Sequence, residues 1–512
     1  MTQSIAASKA GRREWLGLAV LALPCLVYSM DLTVLNLALP HLTADLRPSP
    51  TQLLWIVDIY GFLLAGALIT MGTLGDRIGR RRLLLIGATA FGFASLLAAF
   101  STSAEMLVFS RAVLGLAAAT LAPSTLSLIH NMFRDSRERT FAISVWIASF
   151  SAGGAIGPVV GGFMLAYFWW GSVFLIALPV MALLLIAGPF LLPEFRDPHA
   201  GRLDVLSAAL SLCAILPVIY GVKVLADSGI ALLPFVAILV GIAFGALFCL
   251  RQLKLDEPLV DLSLFGNRAF STALAINIIG FSTSFASFLF IAQYFQLVLG
   301  LSTVEAGIWS APSGLGFVVS SLITARLTRL AGIPAVMALG LFVGGLSFLL
   351  LAYAGAERSL VLMMIAGLLL AFGYGPAVTL TTDIIVGSVP PERAGMASGM
   401  AETSTELGGA LGIATVGSLI NFLYRRAMDG STLADGSTIP LLARETLAGA
   451  QTIANSLTKA DGTLLLETAR AAFSSGFVVA ALISAVGAGC AALVALRLPR
   501  PRPQMTPTAS TH

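Results

Sequence analysis

The sequence predicts an all-α membrane protein with fourteen transmembrane helices. Three observations carry this prediction. The 512 residues are 57% hydrophobic and only 11% charged. Their mean hydropathy of +0.92 is far above that of soluble domains. The charged residues lie mostly between long apolar runs, and each run has the ~20 residues that a membrane-spanning helix needs.

Fourteen such runs follow one another along the chain. Each is predicted to be helical, because a lipid-facing backbone must satisfy its own hydrogen bonds. The first run continues to Pro40 without a small-residue cleavage site, so we expect a retained span rather than a signal peptide. The predicted spans are 16–39, 52–74, 83–101, 105–129, 140–165, 171–192, 203–222, 232–250, 269–297, 304–326, 334–353, 360–387, 395–422 and 472–497.

The basic residues predict the orientation. If both termini are cytoplasmic, 21 of the 30 Lys and Arg lie on the inner side and only three lie in short outer loops. We therefore expect a multi-pass membrane protein with both termini inside. The long loop 424–471 would then be extracytoplasmic, either as a loose tether or as a small ordered cap in which 441–457 is helical. The net charge of +4 belongs to these loops and does not indicate a nucleic-acid partner.

The most informative loop is GTLGDRIGRRR, residues 72–82, between the second and third spans. Its arginines oppose translocation across the bilayer. Gly72 and Gly79 allow sharp turns and close helix approach. Asp76 lies beside Arg77 and Arg80, so an ion pair could form or break there as a gate. The alternative is a loop that sets topology and does nothing more.

Four acidic residues lie well inside predicted spans, away from the span ends: Asp31, Asp58, Glu402 and Glu406. An unpaired carboxylate at this depth costs about 3 kcal/mol or more, so each is a candidate for proton coupling or cation binding. Glu402 and Glu406 are four residues apart, hence on one helical face and ~6 Å apart. Two carboxylates that close cannot easily both be ionised in a low dielectric, which suits a proton carrier.

Several of these residues have structural alternatives. Asp31 could instead hydrogen-bond to Thr33 or Asn36 and only pack, and Asp58 could be a solvated entrance residue. Arg111, inside the fourth span, could pair with one of the acids, and the sequence leaves its partner open.

Two further acids, Asp383 and Glu392, are predicted to form gate ion pairs with Arg393. Aromatic faces attract lipophilic cations, so aromatic side chains near the acids are candidates for the cavity wall. The possible cavity-lining residues are Tyr28, Met30, Trp55, Tyr60, Trp146 and Tyr294.

Catalytic and metal sites are not predicted. The chain has no G-x-x-x-x-G-K-[ST] motif for binding nucleotide phosphates, and its four cysteines have no paired spacing. The cysteines all lie in apolar runs and are predicted to be small core residues. We expect neither an enzyme nor a cofactor.

Four more motifs accompany the basic loop: Met30–Pro40, Leu54–Tyr60, Arg111–Gly115 and Gly153–Gly162. Together these stretches resemble the signatures of the fourteen-span drug:proton antiporter family within the major facilitator superfamily. The similarity is greatest to its QacA-type and Smv-type exporters of quaternary ammonium compounds and methyl viologen.

The resemblance implies two six-helix bundles, residues 1–200 and 263–512, with two linker helices in 201–262. It implies a conformational or proton-relay role for Arg111. It also implies that the fifth span carries an antiporter motif, which would form a tight seam, although generic helix packing is an alternative. The residues of this motif are Gly153, Gly157, Pro158, Gly161 and Gly162.

The function implied is proton-coupled efflux of lipophilic cationic drugs, biocides and dyes across a bacterial inner membrane, with protons as the coupling ion. The transporter would be a monomer in contact with membrane lipids. The alternative is a narrow exporter of one metabolite or antibiotic. One departure from the family pattern matters: the tenth span reads Ala311–Phe317 without an acid. This departure puts efficient export of divalent cations in doubt.

Overall fold

The structure is a computed structural model that describes residues 9–196, 204–228, 232–255, 258–429, 431 and 438–498. Within these ranges every regular element is helical, and fourteen helices are long and apolar enough to cross a membrane. The predicted number and order of spans are confirmed. We refer to the end of the bundle that carries residues 76–82, 134–139 and 391–393 as the arginine-rich side.

The described first half forms α1 (Arg12–Leu46), α2 (Pro50–Ile78), α3 (Arg80–Ala99), α4 (Ala104–Met132), α5 (Ser136–Tyr167), α6 (Ser172–Leu175), α7 (Ala177–Leu191), α8 (Val205–Ser228) and α9 (Leu232–Gln252). The second half forms α10 (Arg268–Gln293), α11 (Thr303–Ala331), α12 (Ile333–Ala356), α13 (Leu360–Gly387), α14 (Ala394–Gly412), α15 (Ser418–Met428), α16 (Leu441–Glu445), α17 (Leu447–Ala454) and α18 (Lys459–Ala495). Helices α6 and α7 make one span, and α14 and α15 make another through a π-helical turn.

Side-chain caps set several helix starts. Ser49 and Ser302 form capping boxes with the glutamine and glutamate three residues later. Thr458 caps α18 by accepting the backbone N–H of Asp461. Helix α18 therefore begins well before residue 472, where the last span was predicted to begin, because its first turns lie outside the apolar run.

Two large hydrophobic cores hold the helices together. The first is built mainly from α1 to α7 and the second from α10 to α18. A smaller core lies between them on the arginine-rich side and joins α9, α10, α13 and α14. This arrangement is two packed helical units with α8 and α9 as an inserted pair; the predicted domain limits at residues 200 and 263 stay predictions.

A glycine seam joins α1 and α5. Gly153, Gly157 and Gly161 recur every four residues and so lie on one helical face. A Cβ at Gly153 would meet the backbone of Leu26 on α1, and one at Gly157 would meet Thr33 on the same helix. The seam is close because no side chain separates the two backbones. Gly162 is exposed, with open space around it, and the side chain of Pro158 lies outside the described part of the structure.

The segment that leaves the inserted pair, residues 258–267, enters the region between the two units; we call it the connecting segment. Gln252 at the end of α9 accepts the backbone N–H groups of Leu259 (2.6 Å) and Val260 (3.3 Å). Both side chains are buried in the small core, together with Met396 of α14. The carbonyl of Leu259 also accepts a 3.2 Å hydrogen bond from Thr73 of α2. The inserted pair is thereby tied to both units.

The long loop contains ordered structure. Helices α16 and α17 place Ala443, Leu447 and Ala450 in the second core, and the Tyr424 hydroxyl donates to the carbonyl of Ala443 at 2.7 Å. The ordered alternative is therefore confirmed for residues 438–458, and the loose tether is wrong for them. The predicted single helix over 441–457 is two helices, which part at Thr446, the cap of α17.

The cysteine prediction is only partly right. Cys25 is buried, but Cys213, Cys249 and Cys490 are exposed on the surfaces of their helices. An apolar run does not reveal which of its faces meets lipid and which meets protein, so the prediction of four core cysteines was wrong for these three.

We expect Gly157→Val to destabilise the protein, because its side chain would collide with Thr33 across the α1–α5 seam. Overpacking of this kind costs ~1–3 kcal/mol. Gly162→Val, on the same helix, is the matched control. Thermal unfolding in detergent should show a lower midpoint for Gly157→Val alone, and equal midpoints for the two variants would contradict the seam.

Candidate functional site

Helix α14 presents two carboxylates to the other half of the molecule. Successive residues turn ~100°, so Glu402 and Glu406 share the face of Gly395 and Gly399, which pack on the backbone of α2. At 1.5 Å per residue the carboxylates lie about 10 and 16 Å along the helix from Gly395, near the middle of a ~30 Å hydrocarbon layer. Glu402 is buried, and in the described part of the chain no basic side chain forms an ion pair with it.

Glu406 contacts an aromatic cluster on the first unit. The Tyr28 hydroxyl of α1 donates to Glu406 Oε1 at 3.1 Å. The Tyr28 ring packs edge-on against Phe150 at 5.2 Å, and Phe150 packs against Trp146 at 4.7 Å. Trp146 is held by a 2.9 Å hydrogen bond to Thr125. Carboxylates beside aromatic faces suit an organic cation, because both attract positive charge.

Arg111 pairs with Asp31, which answers the question that the sequence left open. Arg111 Nη1 lies 2.5 Å from Asp31 Oδ2, and both side chains are buried. Arg111 Nε also donates to the carbonyl of Ile56 at 3.2 Å, and the guanidinium lies over the Tyr60 ring at 4.5 Å. The pair is internal to the first unit. Thr33 donates to the carbonyl of Met30 and not to Asp31, and the side chain of Asn36 lies outside the description.

The remaining predicted residues lie at different places. Met30 and Asp31 line a small cavity inside the first unit. Asp58 is half-buried on α2, and Trp55 is 36% exposed and packs against Phe62. Tyr294 lies in the second core, where its hydroxyl donates to the carbonyl of Gly355, so the structure does not bring it to the Glu406 cluster.

Asp76 joins the two units on the arginine-rich side. Its carboxylate accepts the backbone N–H groups of Gly395 (3.0 Å) and Met396 (2.9 Å), at the first turn of α14. These N–H groups have no partner within their own helix, and the helix dipole favours an anion there. Asp76 thus caps a helix of the opposite unit. Gly72 and Gly395 touch backbone to backbone beside this contact.

Arg80 adds to this contact between the two units. Its Nη2 lies 2.6 Å from Asp76 Oδ1 and donates to the carbonyls of Pro391 (2.7 Å) and Glu392 (3.0 Å) in the turn before α14. The arginine is 1% exposed, so its charge depends on these acceptors. Gly79 begins the neighbouring α3 with a φ of 107°, which only glycine adopts easily. Arg77 is half-buried in the last turn of α2.

Two further ion pairs reach across the same side. Asp383 of α13 accepts from Arg139 of α5 at 3.0 Å and from the Thr140 hydroxyl at 2.7 Å. Arg393 pairs with Asp261 of the connecting segment at 3.0 Å. The predicted pairing of Asp383 and Glu392 with Arg393 was therefore wrong, because Asp383 pairs with Arg139 of α5 and Arg393 pairs with Asp261 of the connecting segment.

The Asp261 pair stays charged at neutral pH. Hydrogen bonds from Ser263, and then Arg393, hold the pKa of Asp261 below its ordinary value. A depressed pKa gives stabilisation that is complete above the unfolded value of ~3.9 and is lost as the pH falls through the folded value. A pH dependence between 6 and 8 would thus not come from this contact.

Some connecting residues were missed by sequence reasoning. Thr140, Asp261 and Leu259 join the units at the gate, yet none belongs to a recognisable motif. Only the acidic character of Asp261 beside the apolar Leu259 and Val260 could have drawn attention to that segment.

Comparisons with known proteins place this architecture in context. The profile of the Major Facilitator Superfamily matches residues 21–413. The multidrug efflux pump LfrA of Mycolicibacterium smegmatis is 42% identical over 477 residues, which cover 93% of this chain and 94% of that protein. The methyl viologen resistance protein SmvA of Salmonella typhimurium is 34% identical over 473 residues, covering 90% and 93%.

Two more distant similarities are informative. The tetracenomycin C resistance and export protein of Streptomyces glaucescens is 29% identical over 412 residues, covering 80% of this chain and 76% of that protein. The human organic anion transporter MFSD10 (TETRAN) aligns with a TM-score of 0.59 over 93% of this chain and 99% of that one. Its sequence identity is 17%, so this likeness shows the fold alone.

We expect Asp76→Asn to open the arginine-rich side, because the amide keeps the shape of the cap but loses its charge. The interaction of an anion with a helix N-terminus is worth up to about 2 kcal/mol in a partly buried site, so its loss corresponds to an open population up to roughly 30-fold larger. The measurement is thiol labelling of Ser398→Cys, a buried position on α14 beyond the gate, after removal of the native cysteines.

Glu194→Gln is the control for this gate variant. Glu194 accepts the backbone N–H groups of Arg81 and Arg82 within the first unit and does not bridge the two units in the described structure. Labelling at the parent rate in Asp76→Asn would contradict the gate assignment.

Proposed function

Because this chain belongs to the Major Facilitator Superfamily, we propose that it is a proton-coupled exporter that drives lipophilic, mostly cationic compounds out of a bacterial cell. It is a multi-pass membrane transporter with the major facilitator fold, not an enzyme. The names of its relatives, a multidrug efflux pump and a methyl viologen resistance protein, support the cargo class. The proposed cargo includes quaternary ammonium biocides and dyes, and the proposed working unit is a monomer among inner-membrane lipids.

The proposed orientation puts the arginine-rich side in the cytoplasm, together with both termini. The support is the excess of Lys and Arg in the loops on that side. The gate at Asp76 is then the cytoplasmic gate, and its closed state keeps the carboxylates of α14 from the cytoplasm. Helices α16 and α17 lie on the outer side.

The observation that carries the proposal is the position of Glu402 and Glu406. They lie on α14 about half-way through the membrane and face α1 of the other unit, where Tyr28 contacts Glu406. A site between two units is reached from one side and then from the other when the units rock, as alternating access requires. One acidic site can hold either protons or a cation, and competition between them produces exchange.

The proposed cycle follows from that competition. In the outward-open state two protons from outside, one for each glutamate, neutralise the carboxylates. This removes the field that held the cation, and the cation leaves. The neutral site closes outside and opens inside, where the Asp76 contact separates. The more alkaline cytoplasm takes the two protons, and the restored negative charge binds the next cation beside the aromatic cluster of Tyr28, Phe150 and Trp146.

The number of carboxylates that take up protons decides whether the membrane potential contributes to the driving force for export. One proton exchanged for one monovalent cation moves no net charge, so only the pH difference drives it. Two protons, one for each glutamate, move one net charge inward. At ~2.3 kcal/mol per 100 mV, a potential of about 180 mV then contributes about 4 kcal/mol. That energy sustains a roughly thousandfold gradient, since 1.4 kcal/mol corresponds to tenfold.

Arg111 and Asp31 have a supporting role in this proposal. Their ion pair lies on α4 and α1, and its stacking on Tyr60 connects it with the aromatic side chains near Glu406. A change at the glutamates that moves Tyr28 would reach the pair through Tyr60. This connection would make Arg111 a conformational relay, with Asp58 at an outer position on α2.

A narrow exporter of one compound remains the second candidate, because a relative is named for tetracenomycin C resistance and export. Vesicle efflux of ethidium, a quaternary ammonium biocide, methyl viologen and a neutral drug separates the two. Efflux of several compounds supports the broad exporter. A deficit for methyl viologen alone would reflect the missing acid at residues 311–317, because methyl viologen is a dication.

We expect the double variant Glu402→Gln/Glu406→Gln to release no protons when ethidium is added in detergent. Each single variant should retain weaker cation binding, and its efflux should no longer respond to membrane potential, because one carboxylate carries one proton. The control is Glu357→Gln, an exposed acid at the end of α12. If the double variant releases protons as the parent does, coupling lies elsewhere, with Asp31 or Asp58 next in line.

We expect Asp31→Asn to lower the amount of folded protein, because it leaves the Arg111 guanidinium buried without its partner. Breaking a buried pair in this way costs about 3–5 kcal/mol. Asp31→Asn/Arg111→Gln should restore the size-exclusion peak but not ethidium efflux. Recovery of both quantities would show that the pair only stabilises the fold.

A further inference from the structure

Asn277 is a buried amide on α10, directly behind the helix that carries the two glutamates. Its Nδ2 donates to Ser404 Oγ (2.8 Å), Thr405 Oγ1 (3.0 Å) and the carbonyl of Ala401 (3.3 Å). Its Oδ1 accepts from the Thr381 hydroxyl of α13 at 3.0 Å. Both ends of the amide are therefore bonded, and three helices meet at one side chain.

The three partners on α14 lie within residues 401–405, the turn that contains Glu402 and ends one residue before Glu406. At ~100° per residue, Ala401, Ser404 and Thr405 centre on one face, and the two glutamates centre about 120° away. The amide therefore bonds to one face of α14, and the two carboxylates lie on a different face. A slip of one residue, or ~100°, would move a carboxylate onto the α10 face.

The other contacts between α10 and α14 constrain the rotation of α14 less than the Asn277 hydrogen bonds do. Gly408 and Gly412 bring α14 onto the backbones of Ile278 and Ser282, and glycines offer no side chain to interlock. The Ser282 hydroxyl donates to the carbonyl of Gly408 at 2.9 Å, three residues beyond the segment 401–405. Asn277 provides the directional contact at the level of the glutamates.

We propose that Asn277 is a positioning residue for transport, which holds α14 in the rotation that directs Glu402 and Glu406 towards α1 and away from α10. The proposal rests on the proposed function for its transport consequence, but the orientation itself is independent of proton coupling. Loss of the amide should turn the carboxylates out of their shared site. Both cation affinity and the pH at which protons are released would then change, although neither glutamate is altered.

The test uses Asn277→Leu, which is similar in size and cannot hydrogen-bond, with Ser282→Ala as the matched loss of an α10–α14 hydrogen bond. Ethidium binding to detergent-purified protein should weaken about tenfold in Asn277→Leu, the equivalent of the strongest single interhelical hydrogen bonds in membrane proteins. The midpoint pH of ethidium-induced proton release should shift in the same variant. Ser282→Ala should keep the parent values for both.

A second readout reports the orientation without any transport. Tyr28→Cys and Glu406→Cys, in a protein without its native cysteines, should be joined by a short bifunctional maleimide, and Asn277→Leu should abolish that cross-link. If the parent releases no protons but the cross-link still depends on Asn277, the proposed function fails and this inference stands. If Asn277→Leu gives the Ser282→Ala values and keeps the cross-link, the inference is overturned.

Thr381→Val covers the case in which Asn277→Leu does not fold. It removes the hydrogen bond to Asn277 Oδ1 and retains the amide, so the midpoint of proton release is expected to shift away from the value shared by the parent and Ser282→Ala. A midpoint equal to that of Ser282→Ala would then overturn the inference.

Discussion

The capping of α14 by Asp76 is the interaction on which the closed arrangement depends. A helix leaves its first N–H groups without partners, and here the missing acceptor comes from the opposite unit. Arg80 neutralises that acceptor and bonds to the turn before the same helix. The two units are therefore joined through the unpaired N–H groups of a helix end and a buried charge pair. When the units separate, these groups need hydrogen bonds from water or from other polar groups.

Helix α14 combines tasks that many proteins assign to separate elements. Its first turn belongs to the gate, and its middle carries the carboxylates. One of its faces lies on α2 through Gly395 and Gly399, and another lies on α10 through Gly408 and Gly412. Because a helix is stiff over this length, a movement of its first turn also displaces Glu402.

The sequence predicted the fourteen spans and an ion pair of Asp76 with a nearby arginine, because apolar length and short sequence separation are local properties. It did not predict that Arg111 meets Asp31, that Arg139 meets Asp383 or that Asn277 holds α14. Those contacts join positions from 80 to 244 residues apart, and they depend on which helices become neighbours. Hydropathy also could not separate lipid-facing cysteines from Cys25, since both faces of such helices are apolar.

The connecting segment couples the inserted helix pair to the proposed gate at Asp76. Leu259 bonds to α2 and packs beside α14, while α8 rests on α2 through Ile219 and Phe62. A hydrophobic molecule that lodged between α8 and α2 from the lipid would displace Leu259 without reaching Glu402 or Glu406. Such a molecule would act as a noncompetitive inhibitor, and its potency would follow its partition into the bilayer rather than its concentration in water.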